Sequence, residues 1–181
     1  MVVSVIIPIR KGDTYAFSIQ GAGEVLQITE GTRSYARNLG AKQARYDELL
    51  FLDADMDISH IDLSQCNSYA YDIATAYFIT PHMEDLPTTF TQNFNALFGS
   101  PLSYYGGFMY MRKPVFDKVG PFAERFMEDV DYSTRASVMG YRINAFPFWI
   151  VHTRRFSGPS AHAAANAENL GWGWSRGSDI V

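Results

Sequence analysis

Apolar residues in this chain arrive first as short unbroken runs and only later at helical spacing. Val3, Val5, Ile6, Ile7 and Ile9 make residues 3–9 a β-branched stretch ended near Pro8, which predicts a buried first strand. Residues 10–23 turn polar and then Gly-rich, with room only for a short helix, and 24–29 read as a second strand. Glu30, Gly31 and Thr32 form a turn, and Thr32 or Ser34 is suited to cap a helix over 33–45. That helix carries Tyr35, Ala36, Leu39 and Ala44 on one side and Arg33, Lys42 and Arg45 elsewhere, with Gly40 weakening it slightly. A third strand, 48–52, runs straight into Asp53-Ala54-Asp55.

The second half predicts a strand over 70–79 and a helix over 84–97, entered near Glu84 and Asp85, with Phe90, Phe94, Leu97 and Phe98 at helical spacing. A strand at 106–112 follows Gly106-Gly107. Pro114 starts a short helix that Gly120 ends, and a helix over 129–139 stops at Gly140. Strands are expected at 141–146 and 148–152, and the last 25 residues are polar and rich in Ala and Gly. Strand–helix alternation in the first half predicts an α/β fold with a mostly parallel sheet. No repeat or linker divides the chain.

Composition narrows the function classes. A chain of 181 residues fits one domain, and 47% hydrophobic with 15% aromatic residues supports a packed core. The net charge of −4, without a Lys/Arg-rich block, gives no nucleic-acid footprint. The single cysteine, Cys66, cannot form an internal disulfide. No run approaches the ~20 apolar residues of a membrane-spanning helix. Arg10, Lys11 and Asp13 follow a single short apolar run, unlike a signal peptide. A cytoplasmic location is the expectation.

Three constellations carry candidate chemistry. An apolar strand ending in Asp53 and Asp55 fits hard-cation binding, because Mg²⁺ and Mn²⁺ take carboxylate oxygens together with substrate phosphates, and ligands of open α/β sheets bind outside the strand ends. The plain alternative is an acidic turn. Glu128, Asp129 and Asp131 crowd the start of a helix, where the dipole favours acids, and Asp131 can pair with Arg135 at i,i+4. One of them is also placed to serve as a general base. His152 ends an apolar strand and is followed by Arg154 and Arg155, a grouping suited to a metal and a diphosphate, or else to a structural histidine and a solvated turn.

In this order the residues resemble the family-2 glycosyltransferases, which have the GT-A nucleotide-sugar-binding fold. The resemblance rests on residues 3–8, Gly31 with Tyr35-Ala36-Arg37-Asn38-Leu39-Gly40, and Phe51-Leu52-Asp53-Ala54-Asp55. It continues through Gly106-Gly107, Val119-Gly120-Pro121-Phe122, Glu128-Asp129, Arg135, Gly140-Tyr141-Arg142-Ile143 and His152. It implies a GT-A domain over 1–157, with a nucleotide-binding half (1–56) and an acceptor half (57–157), a small antiparallel element near the acceptor side, and a C-terminal extension at 158–181. It also implies a metal (Mn²⁺ or Mg²⁺) held by Asp55 with Asp53 and His152. Nucleotide-sugar contacts fall to Pro8, Arg10, Glu30, Arg37, Asp53, Arg154 and Arg155. Gly106, Gly107 and Glu128 face the acceptor, and Asp129 is the base supported by Glu128.

The implied reaction moves a sugar from a UDP- or GDP-sugar to a hydroxyl of a glycan, lipid or protein, with inversion by single displacement. One departure stands out: the segment between the first strand and Arg37 is about one helix–strand unit shorter than in typical members. A non-catalytic nucleotide-sugar-binding protein of the same fold and a nucleotidyltransferase are the alternatives. Tyr104, Tyr105, Trp172 and Trp174 are candidates for stacking on sugars, and residues 171–174 for docking on a partner subunit, a second copy of the chain or a membrane surface.

Overall fold

A computed structural model describes residues 2–69, 71–100, 107–125 and 127–153. Seven strands form one sheet: β1 (Val3–Pro8), β2 (Ala22–Ile28), β3 (Glu48–Leu52), β4 (Met56–Asp57), β5 (Ile73–Ile79), β6 (Phe108–Arg112) and β7 (Ile143–His152). Their spatial order is β2-β1-β3-β6-β5-β7-β4. β1 pairs parallel with β2 and β3, and β5 parallel with β7, while β6 and β4 run antiparallel to their neighbours. Five of the seven strands therefore point one way, giving the expected mostly parallel sheet with a small antiparallel part. Among the described residues four α-helices accompany it: α1 (Arg33–Gln43), α2 (Leu86–Leu97), α3 (Lys113–Val119) and α4 (Glu128–Val138).

The sheet is covered on both faces, which is why its inner strands read as continuous apolar runs. Val3, Val5 and Ile7 of β1 join Leu50, Leu52, Phe108, Tyr110, Phe146 and Ile150 on one face, sealed by Ile58, Ile61, Leu63 and Cys66. Ile6, Leu49, Phe51, Met109 and Met111 pack on the other face against Ala41 of α1, Val115 and Phe116 of α3, and Tyr132 and Ala136 of α4. Burial pushes the Cys66 thiol up to about 12, so it is an inert packing group. Gly40 has a packing role: a Cβ there would meet Ile6 Cγ2 at 2.3 Å, so the glycine is what lets α1 lie against β1.

Several expectations need correction. The segment 10–21 contains no helix. The strands expected at 141–146 and 148–152 are one strand, β7. Its register against β5 is irregular between Thr75 and Tyr77, which takes up Pro147 without ending the strand. The two-residue β4, joined to β7, was not foreseen, nor was the 3₁₀ helix Leu63–Ser68. α2 has the expected period, yet Phe90, Phe94, Leu97 and Phe98 on it and just after it are 52–71% exposed. The proposed boundary at 157 lies outside the described residues.

Candidate active site

The carboxyl ends of the parallel strands form one edge, and the predicted acidic residues gather there. Asp53 leaves β3, its N–H donating to the Gly107 carbonyl at the start of β6 at 3.1 Å. Asp53 and Pro8 each stand two residues beyond the paired Phe51 and Ile6, so Pro8, with Arg10 following it, belongs to the same edge. Glu30 is exposed just past β2. Among the described residues it does not enter the arginine–carboxylate network described next.

That network is built on α1. Thr32 caps the helix, its Oγ1 accepting from the Tyr35 N–H. One turn apart, Arg33 and Arg37 lie toward the acids. Arg37 is fully buried; its Nη1 donates to Glu128 Oε1 at 2.6 Å and its Nη2 to Asp53 Oδ1 at 2.8 Å. Its guanidinium also lies 5.4 Å from the centre of the Phe122 ring. Arg37 was expected beside the nucleotide; here it is the buried tie between the Asp53 turn and α4. Arg33 stands nearer the opening, its side chain 36% exposed and its Nη1 3.9 Å from Asp53 Oδ2. Asp53 first, then Glu128, Asp55 and Asp129, raise its pKa further and fix it as a cation.

Glu128 and Asp129 begin α4 and are both buried. Met127 just before them adopts φ 57° and ψ 45°, left-handed backbone in a residue with a side chain, at a cost of order 1–3 kcal/mol. Asp129 Oδ1 accepts from the Val130 N–H at 2.9 Å. Asp131 is engaged apart from them, paired with Arg125 and with Arg135 Nε, the latter at 3.0 Å. The i,i+4 pair foreseen from the sequence is therefore present, and the three acids separate into distinct partnerships.

β4 explains how Asp55 meets His152. Met56 pairs with His152, and the Thr153 N–H and Oγ1 both donate to the Asp55 carbonyl at 2.9 and 2.8 Å. His152 Nε2 then lies 3.5 Å from Asp55 Oδ2. Burial alone would raise the Asp55 pKa, but the His152 contact and the charge of Arg33 outweigh it and hold the carboxyl below its ordinary range.

The donor chemistry fits a hard cation in part. Asp55 and His152 offer one carboxylate oxygen and one imidazole nitrogen, the kind of set that diphosphate oxygens and water complete. Asp53 already receives Arg37 on one oxygen and faces Arg33 with the other. Among the described residues no group of three or more His, Cys, Asp or Glu is arranged to hold a metal. Gly107 is buried at a tight contact, where a Cβ would meet Met56 Cε at 2.4 Å and Phe78 Cε1 at 2.9 Å. Gly106, Arg154, Arg155 and the four candidate stacking aromatics lie outside the described residues. Sequence reasoning missed Arg33; the available signal was a cation in the first turn of a helix that has no acid there, against the dipole.

No protein-family profile matches this sequence, and neither does any curated protein sequence. Solved structures do match. The mannosyltransferase PcManGT from Pyrobaculum calidifontis, in complex with GDP-Man and Mn²⁺, superposes with a TM-score of 0.62 at 14% identity, covering 93% of this chain and 61% of that one. The chain shares the α/β fold of this glycosyltransferase. S. aureus TarS 1–349 in complex with UDP-GlcNAc gives 0.60 at 16% identity, over 86% of this chain and 59% of that one. TarS 1–349 alone gives 0.60 at 15%, over 98% and 73%. The chain thus spans about three fifths of the length of the first two structures. Among its described residues no helix is long and apolar enough to cross a membrane.

Proposed function

We propose that this chain is a family-2 glycosyltransferase that transfers a sugar from a nucleoside diphosphate to an acceptor hydroxyl, with inversion. The observation that carries the reading is Arg37. One buried guanidinium ties the Asp-Ala-Asp turn after β3 to the Glu-Asp pair of α4, which supports reading them as the donor-side and acceptor-side carboxylates of one site. Its neighbours of the same fold were solved with GDP-Man and Mn²⁺ or with UDP-GlcNAc, which supports a nucleotide-sugar donor.

Asp55 and His152 are the residues that would hold a divalent cation. When bound, it would offset the negative charge that grows on the departing diphosphate. Asp53, held by Arg37 and facing Arg33, lines the nucleotide side of the site. The acceptor oxygen forms its bond to the anomeric carbon as the bond from that carbon to the diphosphate oxygen breaks. The electron pair leaves with the diphosphate, and Asp129 takes the acceptor proton. Glu128, neutralised by Arg37, positions Asp129. The location proposed is the cytoplasm.

The test is Asp129→Asn. General-base action is worth roughly 10²–10⁴-fold, so the variant should lose transfer by that factor while UDP or GDP binding with Mn²⁺ stays unchanged. Normal transfer by the variant would remove Asp129 from the role. The helix-free segment 10–21 in the nucleotide half favours one rival, a non-catalytic binder of the same fold. Calorimetry showing nucleotide binding, with no transfer or donor hydrolysis in the wild type, would select it.

A further inference from the structure

Arg33 Nη1 faces Asp53 Oδ2 at 3.9 Å, at the edge that also carries Asp55, Glu128 and Asp129, and Arg37 below it is already bonded to Asp53 and Glu128. The two arginines differ in freedom: Arg37 is sealed and hydrogen-bonded, whereas Arg33 is over one third exposed and 3.9 Å from its nearest oxygen, too long for a hydrogen bond. Arg33 also stands in the first turn of α1, whose dipole repels a cation. Its position is therefore favoured by the carboxylate it faces and not by its own helix.

We propose that Arg33 is an exchangeable counter-ion: it occupies the field of the carboxylates until a divalent cation takes that place, and then turns its guanidinium to the diphosphate brought in with the cation. This inference rests on the proposed nucleotide-sugar reading and deepens it. A planar guanidinium suits two phosphate oxygens at once. The exchange gives metal and nucleotide opposite dependences on one side chain: Arg33 opposes the cation when it is alone and favours the nucleotide when the cation is present. A merely structural arginine would show neither sign reversal.

The experiment measures Mn²⁺ alone by calorimetry or by loss of the free-ion paramagnetic resonance signal, and then UDP and GDP at saturating Mn²⁺. Arg33→Gln should bind Mn²⁺ about tenfold more tightly and the better of the two nucleotides about tenfold more weakly, each about 1.4 kcal/mol. Arg33→Lys keeps the charge and should hold Mn²⁺ affinity near the wild type. Lys42→Gln makes the same charge change on the exposed far end of α1 and should alter neither affinity. Thermal melts verify that each variant is folded. If Arg33→Gln changes both affinities in the same direction, or changes neither, while the wild type binds both ligands, the counter-ion role is refuted and the proposed function stands. A wild type that binds neither Mn²⁺ nor either nucleotide overturns both.

Discussion

Replacing Arg37 with methionine tests the central joint of the site. The substitution keeps an unbranched apolar stem and removes the guanidinium, leaving Glu128 and Asp53 without its two hydrogen bonds of 2.6 and 2.8 Å. Hydrogen bonds to charged groups contribute roughly 1.5–3 kcal/mol each, and removing one partner of a buried pair costs about 3–5 kcal/mol. The two arms are not equal. Glu128's side chain is 4% exposed and cannot recruit water, whereas Asp53's is 19% exposed and can recover part of its solvation. Discounting the Asp53 arm leaves about 3 kcal/mol, carried mainly by the stranded Glu128 carboxylate.

For a domain of this size that loss lowers Tm by roughly 6–12 °C. Urea unfolding of wild type, Arg37→Met, Glu128→Gln and the double variant gives the full cycle. The double variant should recover at least about 1 kcal/mol relative to Arg37→Met, because no buried charge is then stranded. A loss below about 1 kcal/mol in Arg37→Met, or no recovery in the double variant, would show that Arg37 does not bind the two halves together as argued.

Two further outcomes follow from the same geometry. Gly40→Ala should destabilise the protein by up to about 2 kcal/mol in denaturant unfolding: helix propensity gains about 1 kcal/mol, but the new methyl meets the fully buried Ile6 at 2.3 Å, and overpacking costs about 1–3. A more stable variant would mean that α1 can slide off β1. Asp55 has a folded pKa below its ordinary 3.8. Its ionised form therefore stabilises the fold fully above that value, and this contribution fades as pH falls through the lower folded pKa. The Tm gap between wild type and Asp55→Asn should close as pH falls below about that value. A gap that widens on acidification would reverse the sign assigned here.

What the sequence showed and hid has physical reasons. β1 and β3 were legible because both of their faces are buried, so every position but Ser4 and Glu48 is apolar. Asp131–Arg135 was legible because one helix turn brings the two together. β4 was not, since two residues carry no period and exist as a strand only through β7. β7 was read as two strands because Pro147 interrupts a local pattern that its partner β5 tolerates. On α2 the spacing was legible while the exposure of its phenylalanines was not, because period fixes a face and says nothing of what covers it. The tie between Arg37 and Glu128 spans 91 positions, beyond any local signal.

This long-range tie also changes what the acidic motif means. Taken alone, Asp53-Ala54-Asp55 gives two equivalent carboxylates for one metal. In the fold they are unequal: Asp53 points its two oxygens toward arginines of α1, and Asp55 points to a histidine at the end of β7. The same division runs through the second motif, where Glu128 belongs to Arg37 and Asp129 to the first turn of its own helix. Each acidic pair thus ties one member to Arg37, and the proposed reaction would draw on the other. Under the proposed function, such a site would be rigid at Arg37, which is buried and doubly hydrogen-bonded, and adjustable at Arg33, which is partly exposed. The functional reading and the counter-ion inference therefore stand on two arginines one helical turn apart, distinguished by burial.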